Sequence, residues 1–213
     1  MQFIDGGVTA PKGFTANGML CKIKKSSTKN DLALVFSEKL CNVAGEFTQN
    51  KVKAESVKLT KENIANGKAQ AVIANSGNAN ACTGEQGAKV ARKMANLAAD
   101  VLGINPSDVI VYSTGVIGKQ LPVQKIEKNI QALKDGLSKE GHKEARTAIM
   151  TTDTHYKECA VETVIGGKTV RIGAMAKGSG MIHINMGTML SVMTTDCAIS
   201  SQMLEKALRK SVA

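Results

Sequence analysis

Two periods of apolar and polar positions alternate along this chain, one of strands and one of helices, and they change over at glycines and asparagines. Leu32 to Phe36 and Ala71 to Ala74 are short apolar runs bounded by polar or glycine-rich residues, the pattern of strands buried on both faces. From Glu85 to Leu102 the apolar residues Ala88, Ala91, Met94, Ala95, Ala98, Val101 and Leu102 follow helical spacing, and Gly103 supplies a left-handed stop. Val109 to Tyr112 predicts another buried strand, running into the turn Ser113-Thr114-Gly115. A second helix has Pro122 in its first turn, continues through Val123, Ile126, Ile130 and Leu133, and ends at Gly136. Glu158 to Ile165 and Lys168 to Met175 flank Gly166-Gly167, a hairpin signal because both central positions of a tight two-residue turn need positive φ. Leu204, Ala207, Leu208 and Val212 begin an amphipathic helix after Ser200-Ser201, whereas Lys177 to Leu190 is glycine-rich, then polar, then apolar, and fits neither period. With no internal repeat and no Pro/Ser-rich linker, the pattern describes one α/β domain.

Composition narrows the class. At 213 residues with 43% apolar and 22% charged residues the chain can bury a core, which excludes disordered, collagenous and disulfide-stapled proteins. No run approaches the roughly 18 apolar residues of a membrane-spanning helix, and the start MQFIDGGVTAPKG lacks the regions of a signal peptide, so a cytoplasmic protein is expected. The five cysteines, Cys21, Cys41, Cys82, Cys159 and Cys197, are widely spaced with no C-x-x-C pair; they are expected to be reduced thiols, mostly small core residues. His142, His155 and His183 show no ligand spacing, and no metal site is expected. The net charge of +10 invites a nucleic-acid reading, but 24 of the 28 basic residues are lysines and aromatics are only 3%. Bidentate forks and stacking platforms are therefore scarce, and a solvated lysine surface is the better account.

Three small-residue segments could present backbone amides or hydroxyls to a substrate. Asn75 to Gly84 lies between a strand and the start of the long helix, where unpaired amides favour an anion; a turn built from Asn and Gly explains its composition equally well. It has neither a Walker ending nor a G-x-G-x-x-G pattern. Ser113 to Gly118 follows the carboxyl end of a strand, and the Thr114 hydroxyl beside the Gly115 amide makes a pair of donors for a developing oxyanion, although a plain tight turn has the same spacing. Gly187-Thr188 is the third: a Thr whose own α-amine is freed by cleavage of the preceding bond gains a base with a pKa of roughly 7.7 to 8.0. Asp153 and Asp196 could serve in acid/base chemistry or simply hold turns.

At these same segments the chain resembles the ornithine acetyltransferase family, also called glutamate N-acetyltransferase, of arginine biosynthesis. GGVTAPKGF from Gly6, NSGNANACTGEQG from Asn75, STGVIG from Ser113, MTTDT from Met150, and KGSGMIH with the following NM and TML from Lys177 occur in the family's order and spacing. The resemblance covers nearly the whole chain. It implies an α/β (α+β type) layered sandwich of helices around stacked sheets, of the self-processing N-terminal-nucleophile kind. It implies cleavage between Gly187 and Thr188, so that residues 1–187 form an alpha-subunit region and residues 188–213 the start of a beta-subunit region. By the same resemblance Thr188 is the nucleophile, Thr114 and Gly115 form the oxyanion hole, and Thr151, Lys177 and Thr188 contact substrate. The implied reaction moves acetyl from N-acetylornithine to glutamate through an acetyl-threonine, with no cofactor; acetyl-CoA as an alternative donor stays open, since no segment reads as a coenzyme A site. The implied partner is the beta subunit of the same precursor, in a heterotetramer of two alpha and two beta chains. Alternatives are a non-catalytic fragment or partner subunit of that fold, or an amidohydrolase on the same scaffold. Two departures stand out. Ile184 and Gly187 replace the family's usual Pro and Ala, and the 26 residues from Thr188 to Ala213 are far fewer than the family's beta subunit, so this chain alone is expected to turn over little or nothing.

Overall fold

The computed structural model describes residues 1–178 and 189–212. Among the described residues eight strands form two four-stranded sheets. The first contains β2 (Phe14–Met19), β3 (Leu32–Asn42), β4 (Lys68–Asn75) and β5 (Val109–Ser113) in the order β2-β3-β4-β5; the second contains β1 (Gln2–Ile4), β6 (Lys157–Ile165), β7 (Lys168–Lys177) and β8 (Leu190–Thr195) in the order β1-β6-β7-β8. All pairings are antiparallel except β4 with β5, which are parallel because the helix α2 (Gly84–Leu102) carries the chain back between them.

Alternation along the central strands divides the interior in two. Leu32, Leu34, Ala71, Ile73, Val109 and Val111 face a core built with Val90, Met94 and Ala98 of α2 and with Ile126, Ile130 and Leu133 of α3 (Val123–Asp135). The intervening residues Ala33, Val35, Val72, Ala74 and Ile110 face the second sheet, where they meet Met175 and Val192. Each fully buried aliphatic of this size contributes about 1.5–3 kcal/mol, so the two-sided burial of β3 and β4 is what fixes their register. Helix α4 (His142–Ala148) and the 3-10 turn Gly7–Thr9 fill the second core through Ala145, Ala148 and Val8.

The expected strands, the two central helices and the Gly166-Gly167 hairpin all form; both hairpin glycines have positive φ, and the last paired residues are Ile165 and Lys168. An amphipathic helix, α5 (Ser201–Val212), follows Ser200 as expected. Other elements depend on partners that no local pattern reveals. β2 (FTANGM) is polar and glycine-bearing because α4 crosses directly over it: a Cβ at Gly18 would lie 2.2 Å from the Glu144 carbonyl oxygen. Helix α1 (Glu55–Asn63) has few apolar positions, buries Leu59 in the first core, and docks on β5 by polar contacts as well. The Thr60 hydroxyl accepts from the Val111 N–H at 2.9 Å and donates to the Val111 carbonyl at 2.8 Å, while Asn63 donates to the Val109 carbonyl at 2.8 Å. These bonds occupy the outer edge of β5.

The cysteines correct one expectation. Only Cys21 is buried; Cys41 and Cys197 are half-buried, and Cys82 and Cys159 are exposed. Cys82 sits in a turn at φ 55°, and Cys159 alternates with buried Ala160, so it falls on the outward face of β6. Burial, with the nearby Asp31 charge, pushes the Cys21 thiol up to about 12, which keeps it protonated. On that same outward face, Phe3, Val161 and Ile172 lie side by side across β1, β6 and β7, and Phe3 and Ile172 are solvent-exposed. No described helix is long and apolar enough to cross a membrane.

Candidate active site

β4 and β5 end side by side at Asn75 and Ser113, and the two loops that leave them are bonded into one unit. The Thr114 N–H donates to the Asn75 carbonyl at 3.0 Å, the Ala79 N–H to Val116 at 2.9 Å, and the Gly118 N–H to Ala81 at 2.9 Å. Gly115 adopts φ +134°, and a Cβ there would lie 2.4 Å from the Gly77 carbonyl carbon and 2.5 Å from the Asn78 nitrogen. Only glycine supplies both that conformation and that close approach. The Thr114 amide is thus already used. The groups left for a ligand are the Thr114 hydroxyl and the Gly115 N–H, which donates to no acceptor among the described residues.

The asparagines of the first candidate segment are used internally. Asn75 donates to the Asn78 carbonyl at 2.8 Å, Asn78 to the Lys119 carbonyl at 3.1 Å and Asn80 to the Gly87 carbonyl at 2.9 Å. Of the two readings of Asn75 to Gly84, the structure supports the turn: it braces the Thr114-Gly115 corner.

Lys177, the last residue of β7, brings the corner together with a third segment. Its ammonium donates to the Thr114 hydroxyl oxygen at 3.1 Å and to the Thr151 hydroxyl oxygen at 2.8 Å, although the lysine is only 5% exposed. Burial lowers its pKa and Asp153 partly restores it, while the neighbouring Lys157 lowers it further. Because a lysine ammonium only donates, the Thr114 oxygen acts as acceptor and its hydrogen is left for another partner.

Asp153 is buried in the loop between α4 and β6. One carboxylate oxygen accepts from Lys157 Nζ and from the Gly178 N–H, each at 2.8 Å, and the other accepts from the Thr151 N–H at 3.2 Å. Burial works against its ionisation, but these bonds outweigh it and hold the carboxyl at about 2. A carboxylate that weakly basic makes a poor general base, and of the two roles open to Asp153 the geometry favours the turn. Its folded value lies below the ordinary 3.8, so its contribution to stability is complete above about pH 4 and is lost as the pH falls towards 2. Urea midpoints at pH 5 and pH 2.5 should therefore differ less in Asp153→Asn than in the native chain. Asp196 likewise accepts from backbone, the amides of Lys12 and Arg171.

Behind this loop lies a cluster that the sequence reading missed. Glu158 of β6 accepts from His142 at 2.8 Å and pairs with Arg146, both on α4, and Arg146 stacks 3.6 Å from the Tyr156 ring centroid. His142 and Arg146 stand four apart on one helical face, and that spacing was the available signal.

Thr114, Gly115, Thr151 and Lys177 all line one cleft of about 1350 Å³, larger than a typical small-ligand pocket. Gly178 and Met189 line it too. Gly187 and Thr188 lie outside the described residues.

Residues 15–213 match the ArgJ family model. This chain belongs to the ArgJ family. Its sequence is 53% identical over 211 residues to the arginine biosynthesis bifunctional protein ArgJ of Symbiobacterium thermophilum, covering 99% of this chain and 52% of that protein. The Bacillus subtilis ArgJ is 47% identical over 208 residues, covering 97% and 50%. The chain thus spans about half the length of these curated ArgJ relatives. Among solved structures, the ArgJ protein of Bacillus halodurans superposes with a TM-score of 0.81 at 41% identity, covering 89% of this chain and 97% of that one. The Mycobacterium tuberculosis ornithine acetyltransferase, solved with ornithine, gives 0.78 at 39% identity, covering 85% and 96%. An aminopeptidase from Ochrobactrum anthropi, described as a variant of the Ntn hydrolase fold, gives 0.55 at 13% identity over 97% of this chain and 67% of that one, a likeness of fold alone.

Proposed function

We propose that this chain, completed by the remainder of an ArgJ-family protein, transfers acetyl from N-acetylornithine to glutamate through an acetyl ester on Thr188. The observation that carries this reading is the Lys177 ammonium bonded to both the Thr114 and Thr151 hydroxyls on the wall of one cleft, beside a Gly115 N–H with no acceptor among the described residues. Gly178 and Met189, which flank the segment containing Thr188, line the same cleft, so the sequence position of the nucleophile is consistent with it. Support for a two-chain mature form comes from lengths: the two solved relatives are matched over 97% and 96% of their chains, the curated full-length relative from Symbiobacterium over 52%.

In this mechanism the Thr188 hydroxyl attacks the Gly187 carbonyl, the peptide C–N bond breaks, and the ester that forms is hydrolysed by water, leaving a Gly187 carboxylate and a free Thr188 amine. That amine then takes the hydroxyl proton as Thr188 attacks the acetyl carbonyl. Negative charge grows on the acetyl oxygen, to which the Thr114 hydroxyl and the Gly115 N–H would donate; one such donor is worth about 2.7–4 kcal/mol. The proton passes to the departing ornithine amine, and the glutamate amine attacks the ester in the second half-reaction. Lys177 holds the Thr114 hydroxyl in its donating orientation and attracts the substrate carboxylate. The acyl group rides on Thr188, so the reading requires no cofactor. Residues 1–187 then form the alpha subunit and residues from 188 onward the beta subunit, two of each in a cytoplasmic heterotetramer.

Intact mass of the full precursor tests the nucleophile. The native protein is expected to split before Thr188, and Thr188→Ala to remain whole and inactive. A mutant that still splits there removes the assignment, and acetylornithine consumed without acetylglutamate formed would replace transfer by hydrolysis.

A further inference from the structure

We propose that Asp153 is a positioning residue that assembles the site without touching the reacting atoms: its single buried carboxylate ties the loop carrying Thr151 to the end of β7 carrying Lys177 and Gly178. Within that unit, Thr151 and Gly178 are 27 positions apart in sequence, yet their N–H groups donate to the two oxygens of one carboxylate, at 3.2 and 2.8 Å. The Asp153 side chain is only 1% exposed, and Lys157 supplies its third bond at 2.8 Å. A carboxylate fixed on both sides of Lys177 does two things. It sets the direction in which the lysine reaches the Thr114 and Thr151 hydroxyls, and it supplies the negative charge that keeps a nearly buried ammonium protonated. Among the described residues, the charged groups acting on Lys177 are Asp153, which favours the ammonium, and Lys157, which opposes it. A carboxylate kept ionised by three donors suits this electrostatic role and not proton transfer.

The proposal rests on the assignment of Lys177 and Thr151 to the substrate site, but it is tested without turnover. Two quantities are measured on the folded chain: the titration midpoint of Lys177, by NMR of its labelled side-chain ε carbon, and hydrogen exchange at the Thr151 and Gly178 amides. In Asp153→Asn the Lys177 midpoint is expected to fall by about one pH unit or more, and both amides to exchange about tenfold faster. An unchanged or raised midpoint, or amides that remain protected, overturns the proposal. Should Asp153→Asn fail to fold, Lys157→Met decides. Removing the like charge must raise the Lys177 midpoint while Asp153 still protects both amides; loss of that protection would make Lys157 the organising group and overturn the proposal. Failure of acetyl transfer itself would leave both readouts standing.

Discussion

Gly115→Ala should lower turnover of the assembled enzyme by about 10²- to 10³-fold, the usual loss for removing one oxyanion donor. The cause is geometric. The residue holds φ +134°, and the added methyl carbon would sit 2.4 Å from the Gly77 carbonyl carbon. Neither neighbour yields easily, because Gly77 and Asn78 are backbone in a loop where Asn75, Asn78 and Asn80 each donate to a backbone carbonyl. The corner must therefore open, and the Gly115 N–H turns away from the Thr114 hydroxyl. Strain of this kind costs about 1–3 kcal/mol, so the variant should remain folded with a lower urea midpoint. A kcat within threefold of the native value, measured with folded protein, would show that Gly115 N–H is not a donor to the transition state. Thr114→Ser, which keeps the hydroxyl, should lose far less.

Glu158→Ala should destabilise the fold by about 3–5 kcal/mol, the cost of breaking a buried ion pair on one side. Its carboxylate is 7% exposed and faces His142 at 4% and Arg146 at 16%, so truncation leaves the Arg146 cation buried without its partner. Arg146 keeps its stacking on Tyr156, which does not replace a counter-charge. The effect should reach the site, because α4 leads within three residues to Thr151. Urea unfolding of Glu158→Ala and Glu158→Gln should give a graded loss, the glutamine retaining one hydrogen bond. A loss below about 1 kcal/mol in the alanine variant would mean that α4 is held by its apolar contacts alone.

How much of this was legible in advance depended on whether one residue's neighbours in sequence were also its neighbours in space. β4, α2 and β5 were readable because Ala71 to Ala74, Met94 and Val109 to Tyr112 carry their burial in local periodicity. β2 and α1 were not, because Gly18 and Thr60 make sense only once α4 and β5 are in place. The Thr114-Gly115 corner could be singled out from its place after a strand, but spacing alone could not separate a donor pair from an ordinary turn. The Gly115 N–H, without an acceptor among the described residues, and the Lys177 bond to Thr114 are the features on which the donor proposal rests. Lys177 and Thr151 entered only through family resemblance; no pattern within the chain predicts that a β7 terminus meets a loop 26 residues earlier. The cysteines were misjudged because side-chain hydrophobicity says nothing about which face of β6 Cys159 occupies, or that Cys82 stands in a left-handed turn.

The polar docking of α1 has a consequence for self-association. A strand margin with vacant amides and carbonyls is a template on which another polypeptide can polymerise. Thr60 and Asn63 fill that margin on β5, and at the opposite margin Ala16 of β2 exchanges both backbone bonds with Ser138. The sheet that carries the Thr114-Gly115 corner is therefore closed at both borders among the described residues, and growth of a ribbon between molecules is left to the other sheet, at its three-residue β1 or along β8.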